Sequence, residues 1–255
     1  MEDWKLKPAR DLALPNHQRL RSVERENFLL DSALHLLWWP LVWSYLRLAH
    51  RLEVRGRDHL PSEPPFILVA NHCSHLDALV LAAFLPVRLR DHVFPIAAGD
   101  LFFETPIRAV LATSVLNALP MWRRKCGPGS LILLRQRLVE DPCGYILFPE
   151  GTRSRDGTMS AFKPGLGCLV AETHVPVVPC HLQGTFHSLP PHRVLPLFRK
   201  IVLTIGEPLD FSGVTNDRPG WEQIARTTEA AIRRLAEKGN SSASILAEPT
   251  TAIRG

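Results

Sequence analysis

Apolar and polar positions divide this chain into regions of different period. Residues 1–27, "MEDWKLKPARDLALPNHQRLRSVEREN", are polar and lack an apolar core followed by a small-residue cleavage site, so no secretory leader is expected there. The next segment, Phe28 to Ala49, "FLLDSALHLLWWPLVWSYLRLA", is the most apolar stretch and just reaches the length of a membrane span. Asp31, His35 and Arg47 would be costly in hydrocarbon, and Pro40 breaks or kinks a helix near its middle. The pattern therefore predicts a membrane-associated helical hairpin, two short helices lying in the interface. Trp38, Trp39, Trp43 and Tyr45 cluster around the break, with the apolar bodies and polar tips that settle at headgroup depth. The same pattern also fits a hairpin that simply packs on the rest of the protein.

From about residue 51 short apolar runs alternate with helical patterns, which argues for parallel strands joined by crossover helices. Strands are expected at Phe66–Ala70, Val93–Ala97, Ala118–Trp122, Tyr145–Phe148, Val177–Leu182 and Ile201–Ile205. Helices are expected near residues 75–84, 106–115, 129–139 and 164–173, and an amphipathic one at Trp221–Lys238. The reading is an α/β fold, a mostly parallel sheet flanked by helices. It divides into an N-terminal segment at residues 1–50, a domain at 51–238 and a disordered tail at 239–255, where small polar residues replace any periodicity.

Composition narrows this only a little. Thirty Lys and Arg against 25 Asp and Glu give a formal charge of +5, which suits an acidic membrane surface or a phosphorylated substrate as well as nucleic acid. The five cysteines are odd in number, widely spaced and contain no C-x-x-C, so neither a disulfide framework nor a zinc site is signalled, and a reducing compartment is the simpler assumption.

Two polar clusters interrupt the apolar pattern at strand ends. "NHCSHLD", Asn71 to Asp77, separates "PFILVA" from "ALVLAAFL". Ser74 and Asp77 fit a capping box for the helix that follows. That cap gives no role to Asn71 and His72, which stand where open α/β sheets place their ligands. His72, Cys73, His75 and Asp77 are all potential metal ligands, but the i, i+4 histidine pair of a metal-binding helix is absent. The second cluster, Glu150, Gly151, Thr152 and Arg153, follows "GYILFP" at another strand end. Locally, Gly151 permits a tight turn, and Glu150 with Arg153 could form a solvated ion pair worth under about 1 kcal/mol.

Together "NHCSHLD" and "FPEGTRS" closely resemble the first and third sequence blocks of the PlsC-like glycerolipid acyltransferases, which include the 1-acylglycerol-3-phosphate acyltransferases. The first block, Asn-His-x-Ser-x-x-Asp, is matched by Asn71, His72, Ser74 and Asp77; the third is matched without change from Phe148 to Ser154. "FKPG", Phe162 to Gly165, and "VPVVP", Val175 to Pro179, resemble further segments of the family, and the resemblance covers roughly residues 51–210. The second block departs: Gly-x-x-Phe-Ile-Asp-Arg is replaced by "NALPMWR", Asn117 to Arg123, which keeps only the final arginine. That departure bears on the acceptor headgroup rather than on acyl transfer.

The resemblance implies a glycerol-3-phosphate acyltransferase-like fold and an O-acyltransferase. It would move a fatty acyl group from acyl-CoA or acyl carrier protein to a lysophospholipid, with no nucleic acid partner, no metal and no cofactor beyond the acyl co-substrate. Localisation would be membrane-associated, on the cytoplasmic face. An alcohol needs a base to take its proton in the transition state, and an imidazole needs one nitrogen fixed as a donor so that the other can accept. His72 and Asp77 fit these roles if His72 lies in the loop before the helix and Asp77 in its first turn. Backbone amides near Gly151 or at the helix start are candidate oxyanion donors. Cys73 occupies a variable position of the block, so direct attack is preferred to a covalent acyl-cysteine. Arg153 and Arg123, supported by Lys163, are expected to cradle the acceptor phosphate, within a substrate-binding set of Arg123, Glu150, Gly151, Thr152, Arg153 and Lys163. A metal-dependent hydrolase using His72 and Asp77, an acyltransferase for another lysolipid, and a non-catalytic lipid-binding protein are the alternatives.

Overall fold

Phe66–Ala70 (β2) is apolar at every position, and every one of its residues is buried. Such a strand needs cover on both faces, and it lies at the centre of the sheet. The structure, a computed structural model, describes residues 9–26, 29–122, 128–141 and 143–245. Around β2 are Glu53–Arg55 (β1), Val93–Ala98 (β3), Leu119–Met121 (β4), Gly144–Leu147 (β5), Val177–Gln183 (β6) and Val202–Ile205 (β7). They form one seven-stranded sheet in the order β1-β7-β6-β2-β5-β3-β4. Pairing is parallel, with Leu68 opposite both Ile146 and Val178, except between β6 and β7, which are antiparallel. The sheet is thus mostly parallel, as expected, with one antiparallel pair.

Alternation along β2 separates two apolar layers. Phe66, Leu68 and Ala70 join the cluster under the Leu29–Ala49 and Leu76–Ala83 helices; Ile67 and Val69 join the one beneath the Pro128–Glu140, Gly165–Val170 and Arg218–Ile245 helices. The C-terminal helix crosses so close to Gly167 that a Cβ there would lie 2.3 Å from Trp221 Cα. In the same layer the N-terminal arm is clamped down: the guanidinium groups of Arg25 and Arg137 both lie over the Phe94 ring, and Arg137 donates to the Arg25 carbonyl at 2.9 Å.

The hairpin expected at residues 28–49 is one continuous helix, Leu29–Ala49, with Pro40 inside it. Proline removes one backbone hydrogen bond and normally costs about 3 kcal/mol. Here Leu36 and Pro40 lie on the exposed side, while Trp39, Val42 and Leu46 are buried one turn apart on the other. That buried stripe opposes the break. Of the aromatic residues expected at headgroup depth, Trp39 is buried, Trp38 and Trp43 are half-buried and Tyr45 is exposed. Trp38 donates to the Val115 carbonyl at 3.0 Å, and buried His35 bridges Asp91 at 2.8 Å and the Ser114 carbonyl at 3.1 Å. Among the described residues, no helix is long and apolar enough to cross a membrane.

The other elements fall close to their expected places. β1 was not expected. The last helix runs on to Ile245, into the stretch read as a tail, whose final residues, 246–255, lie outside the described residues, as does Arg123.

Candidate active site

The site is assembled where β2 stops. Asn71 does not continue the strand, but its side-chain amide imitates one more peptide: Nδ2 donates to the Leu182 carbonyl at 3.0 Å and Oδ1 accepts from the Leu182 amide at 2.8 Å. Asn71 is thus a splice onto β6, which explains a polar residue that capping could not. The next residue, His72, is therefore held at the very edge of the ordered sheet.

The helix beginning at Leu76 is capped reciprocally. Ser74 Oγ accepts from the Leu76 amide at 3.0 Å and donates to the Leu189 carbonyl at 2.7 Å. Asp77, fully buried in the first turn, reaches back so that its Oδ2 accepts from the amides of Cys73 and Ser74, each at 2.7 Å. The same oxygen lies 2.9 Å from His72 Nδ1. The carboxylate makes Nδ1 the donor and leaves Nε2 as the acceptor, the tautomer that a general base requires. Loop and first turn bring the pair together as the spacing predicted. The His72 ring keeps 21% of its side chain exposed and stacks on Phe148, with ring centroids 4.1 Å apart and an interplanar angle of 20°.

The second block grips the first through its backbone. Glu150 is buried, and its two oxygens accept from the amides of His72 at 2.7 Å and Ser160 at 2.9 Å. The Ser154 amide donates to the His72 carbonyl at 2.8 Å. Burial pushes the Glu150 carboxyl above the ordinary range, an effect those amides oppose. Glu150, expected in the substrate-binding set, accepts from the His72 backbone, and its carboxylate faces amides rather than Arg153.

Gly151 adopts φ +74°, and a Cβ there would lie 2.6 Å from Lys163 Nζ. The turn thus brings the Lys163 side chain over Gly151, with the Lys163 amide tied to the Pro149 carbonyl at 2.9 Å. Thr152 is exposed beside it, and Arg153 is half-buried, its guanidinium 2.7 Å from His75 Nδ1. Burial, and then the neighbouring Arg153, hold the His75 pKa below its ordinary value, so the imidazole can accept from the guanidinium. His75, considered at first only as a metal ligand, is a partner for Arg153 that sequence reasoning missed. Phe148, which stacks on His72, is a second residue that sequence reasoning gave no role, although it opens the third block.

One further expectation narrows. The amides of Cys73, Ser74 and Leu76 are engaged by Asp77 and Ser74, and that of Gly151 donates to the Phe148 carbonyl at 3.0 Å. None of these is then available for an oxyanion. Cys73 is buried, its Sγ 3.3 Å from Thr185 Oγ1, and burial followed by Asp77 pushes its thiol up to about 12. A thiol so far from ionisation is a poor nucleophile. Cys73→Ala is expected to keep turnover within about threefold of the parent, which steady-state kinetics would read directly. Among the described residues, no group of three or more His, Cys, Asp or Glu side chains is arranged to hold a metal ion.

A hydrogen-bonded His–Asp pair thus stands at the carboxyl end of a central parallel strand, braced by a Glu-Gly-Thr-Arg turn. The chain belongs to the acyltransferase family, whose sequence profile, described as Acyltransferase, matches residues 51–183. Within that family it is PlsC-like. It is 33% identical over 163 residues to the 1-acyl-sn-glycerol-3-phosphate acyltransferase alpha of Ovis aries, a match covering 63% of this chain and 52% of the sheep protein. Its likeness to the Mus musculus alpha enzyme is 29% over 205 residues, covering 78% and 70% of the two chains. The chain thus spans about half the length of the sheep relative. The crystal structure of the LPA acyltransferase PlsC from Thermotoga maritima superposes with a TM-score of 0.61 at 25% identity, covering 79% of each chain.

Proposed function

We propose that this protein transfers a fatty acyl group from acyl-CoA or acyl carrier protein to the free hydroxyl of 1-acylglycerol-3-phosphate, giving phosphatidic acid. The observation that carries the reading is the His72–Asp77 pair at 2.9 Å, with Arg153 at the same end of the sheet. His72 Nε2 takes the hydroxyl proton as the oxygen attacks the thioester carbonyl carbon. The tetrahedral intermediate then collapses, the C–S bond breaks, and the proton passes from His72 to the departing thiolate. Asp77 keeps the ring in register and stabilises the imidazolium formed on the way.

The names of the relatives support the acceptor, and the reading places the enzyme at a membrane on its cytoplasmic face. Thioester consumption by purified protein, measured with lysophosphatidate, lysophosphatidylcholine, lysophosphatidylethanolamine and glycerol 3-phosphate, tests it. Lysophosphatidate should be the fastest acceptor. Consumption that no acceptor accelerates would reject the reading. The departure of "NALPMWR" from the second block favours one further reading, transfer to another lysolipid, and the same panel distinguishes it.

Arg153 is the cation assigned to the acceptor phosphate, since its planar fork holds two oxygens at once. Lys163, over Gly151, supports it. Arg153→Ala is expected to raise the KM for lysophosphatidate by roughly tenfold or more while changing that for the thioester little. Added salt should weaken acceptor use in the parent enzyme. An effect confined to the thioester would move Arg153 to the donor site.

A further inference from the structure

We propose that the loop Leu189–Lys200, "LPPHRVLPLFRK", is a second bilayer contact, inserting Val194, Leu195 and Phe198 into an anionic phospholipid surface beside the active site. The proposal rests on the reading of this protein as a membrane-docked enzyme and assigns that docking a second element.

The loop is apolar at its tip and basic at its ends. Val194 is 89% exposed, Leu195 76% and Phe198 67%. Such side chains, presented together on a surface, mark a contact with something apolar. The loop's ends, by contrast, are fixed. Leu189 is buried, the Leu197 amide donates to the Ser188 carbonyl at 2.7 Å, and the Ile201 amide donates to the His50 carbonyl at 3.0 Å. The apolar tip is thus presented by a braced base.

Its position and charge identify the occupant. At one end, the Leu189 carbonyl accepts from Ser74 Oγ, so the loop backs directly onto the His72–Asp77 junction. At the other, the Phe198 ring meets His50 edge-on, with centroids 6.0 Å apart, and His50 also contacts Tyr45 and the Arg199 carbonyl. His50 follows the Leu29–Ala49 helix, whose Leu37, Leu41 and Leu48 form an exposed stripe on its outer face. Helix stripe and loop therefore meet at His50. Exposed Arg193 and Arg199 collar the apolar tip, a pattern that inserts aliphatic groups while pairing guanidinium with lipid phosphate. Lys200 is held by Glu53 at 2.6 Å, so the collar rests on the two arginines. A symmetric contact with a second copy would bring these arginine collars together.

The test compares two triple variants of the full chain, each first shown to be folded by thermal melting: Val194→Ser/Leu195→Ser/Phe198→Ser in the loop and Leu37→Ser/Leu41→Ser/Leu48→Ser on the helix. Sedimentation is measured with phosphatidylcholine vesicles, with and without about 30% phosphatidylglycerol. The loop variant is expected to bind the anionic vesicles at least roughly tenfold more weakly, while turnover of a short-chain, water-soluble lysophosphatidate stays at the parent level. Arg193→Gln/Arg199→Gln should remove only the increment due to phosphatidylglycerol. A folded loop variant that binds as tightly as the parent overturns the proposal. If the helix variant then loses binding, only the loop assignment fails; if neither does, docking of the enzyme through this face fails too. A parent that is dimeric without vesicles, with a monomeric loop variant, would make the loop a self-interface and likewise overturn the proposal.

Discussion

Replacing His72 with alanine is expected to lower kcat for acyl transfer by at least about a hundredfold, the usual contribution of a positioned acid-base group. The protein should remain folded, because the ring is partly exposed and the contacts that fix this junction come from other atoms. Glu150 and Ser154 bind the His72 backbone, while Asp77 Oδ2 still accepts the amides of Cys73 and Ser74. Asp77→Asn should lose less, since an amide oxygen can still take the Nδ1 hydrogen but stabilises the imidazolium less. Single-turnover kinetics alongside thermal melting separate the two effects. Near-parental turnover in a folded His72→Ala variant would sink the relay.

The other large effect is expected at Glu150, and on stability as well as rate. Glu150→Ala leaves the His72 amide without its buried acceptor, at about 1–3 kcal/mol, while the amide of exposed Ser160 can turn to water. It also frees the backbone that carries the base, so kcat should fall by roughly tenfold or more even where the fold survives. Glu150→Gln is milder, because one side-chain oxygen can serve only one of the two amides well. Its pH dependence has a definite sign. Folding raises this carboxyl above its ordinary value of 4.5, so the unfolded chain gives up the proton first. As pH rises through the window between the two values, the folded state holds more protons and stability falls. Glutamine lacks that dependence, so the stability gap between parent and Glu150→Gln should narrow as pH rises above 4.5. Urea denaturation across that range measures it, and a gap that widens would contradict the assignment.

What was legible in the sequence follows from where the information resides. Phe66–Ala70 and Tyr145–Phe148 are continuous apolar runs bounded by polar clusters, so the central strands were visible in sequence alone. β1 has three residues, all half-buried at a sheet edge, and leaves no periodic trace. Pro40 was read as a break because local propensity says so; the stripe of Trp39, Val42 and Leu46 that holds the helix together is a tertiary fact. His72 and Asp77 were legible because both ends of their interaction lie only 5 residues apart in the chain. Asn71 and Glu150 were harder. A polar residue at a strand end serves a substrate or a distant backbone equally well on paper, and their partners, Leu182 and His72, lie 111 and 78 residues away in sequence.

The reversal of direction between β6 and β7 carries an evolutionary consequence. Gln183 pairs with Val202, so the whole connection over residues 184–201 leaves and re-enters the sheet at the catalytic end instead of crossing to the opposite edge. A return of this kind can be lengthened without disturbing any strand register, at roughly 0.6 kcal/mol of closure entropy for each doubling of its length. Insertions and deletions are therefore least disruptive here, and chimeras exchanging this one segment between relatives should fold.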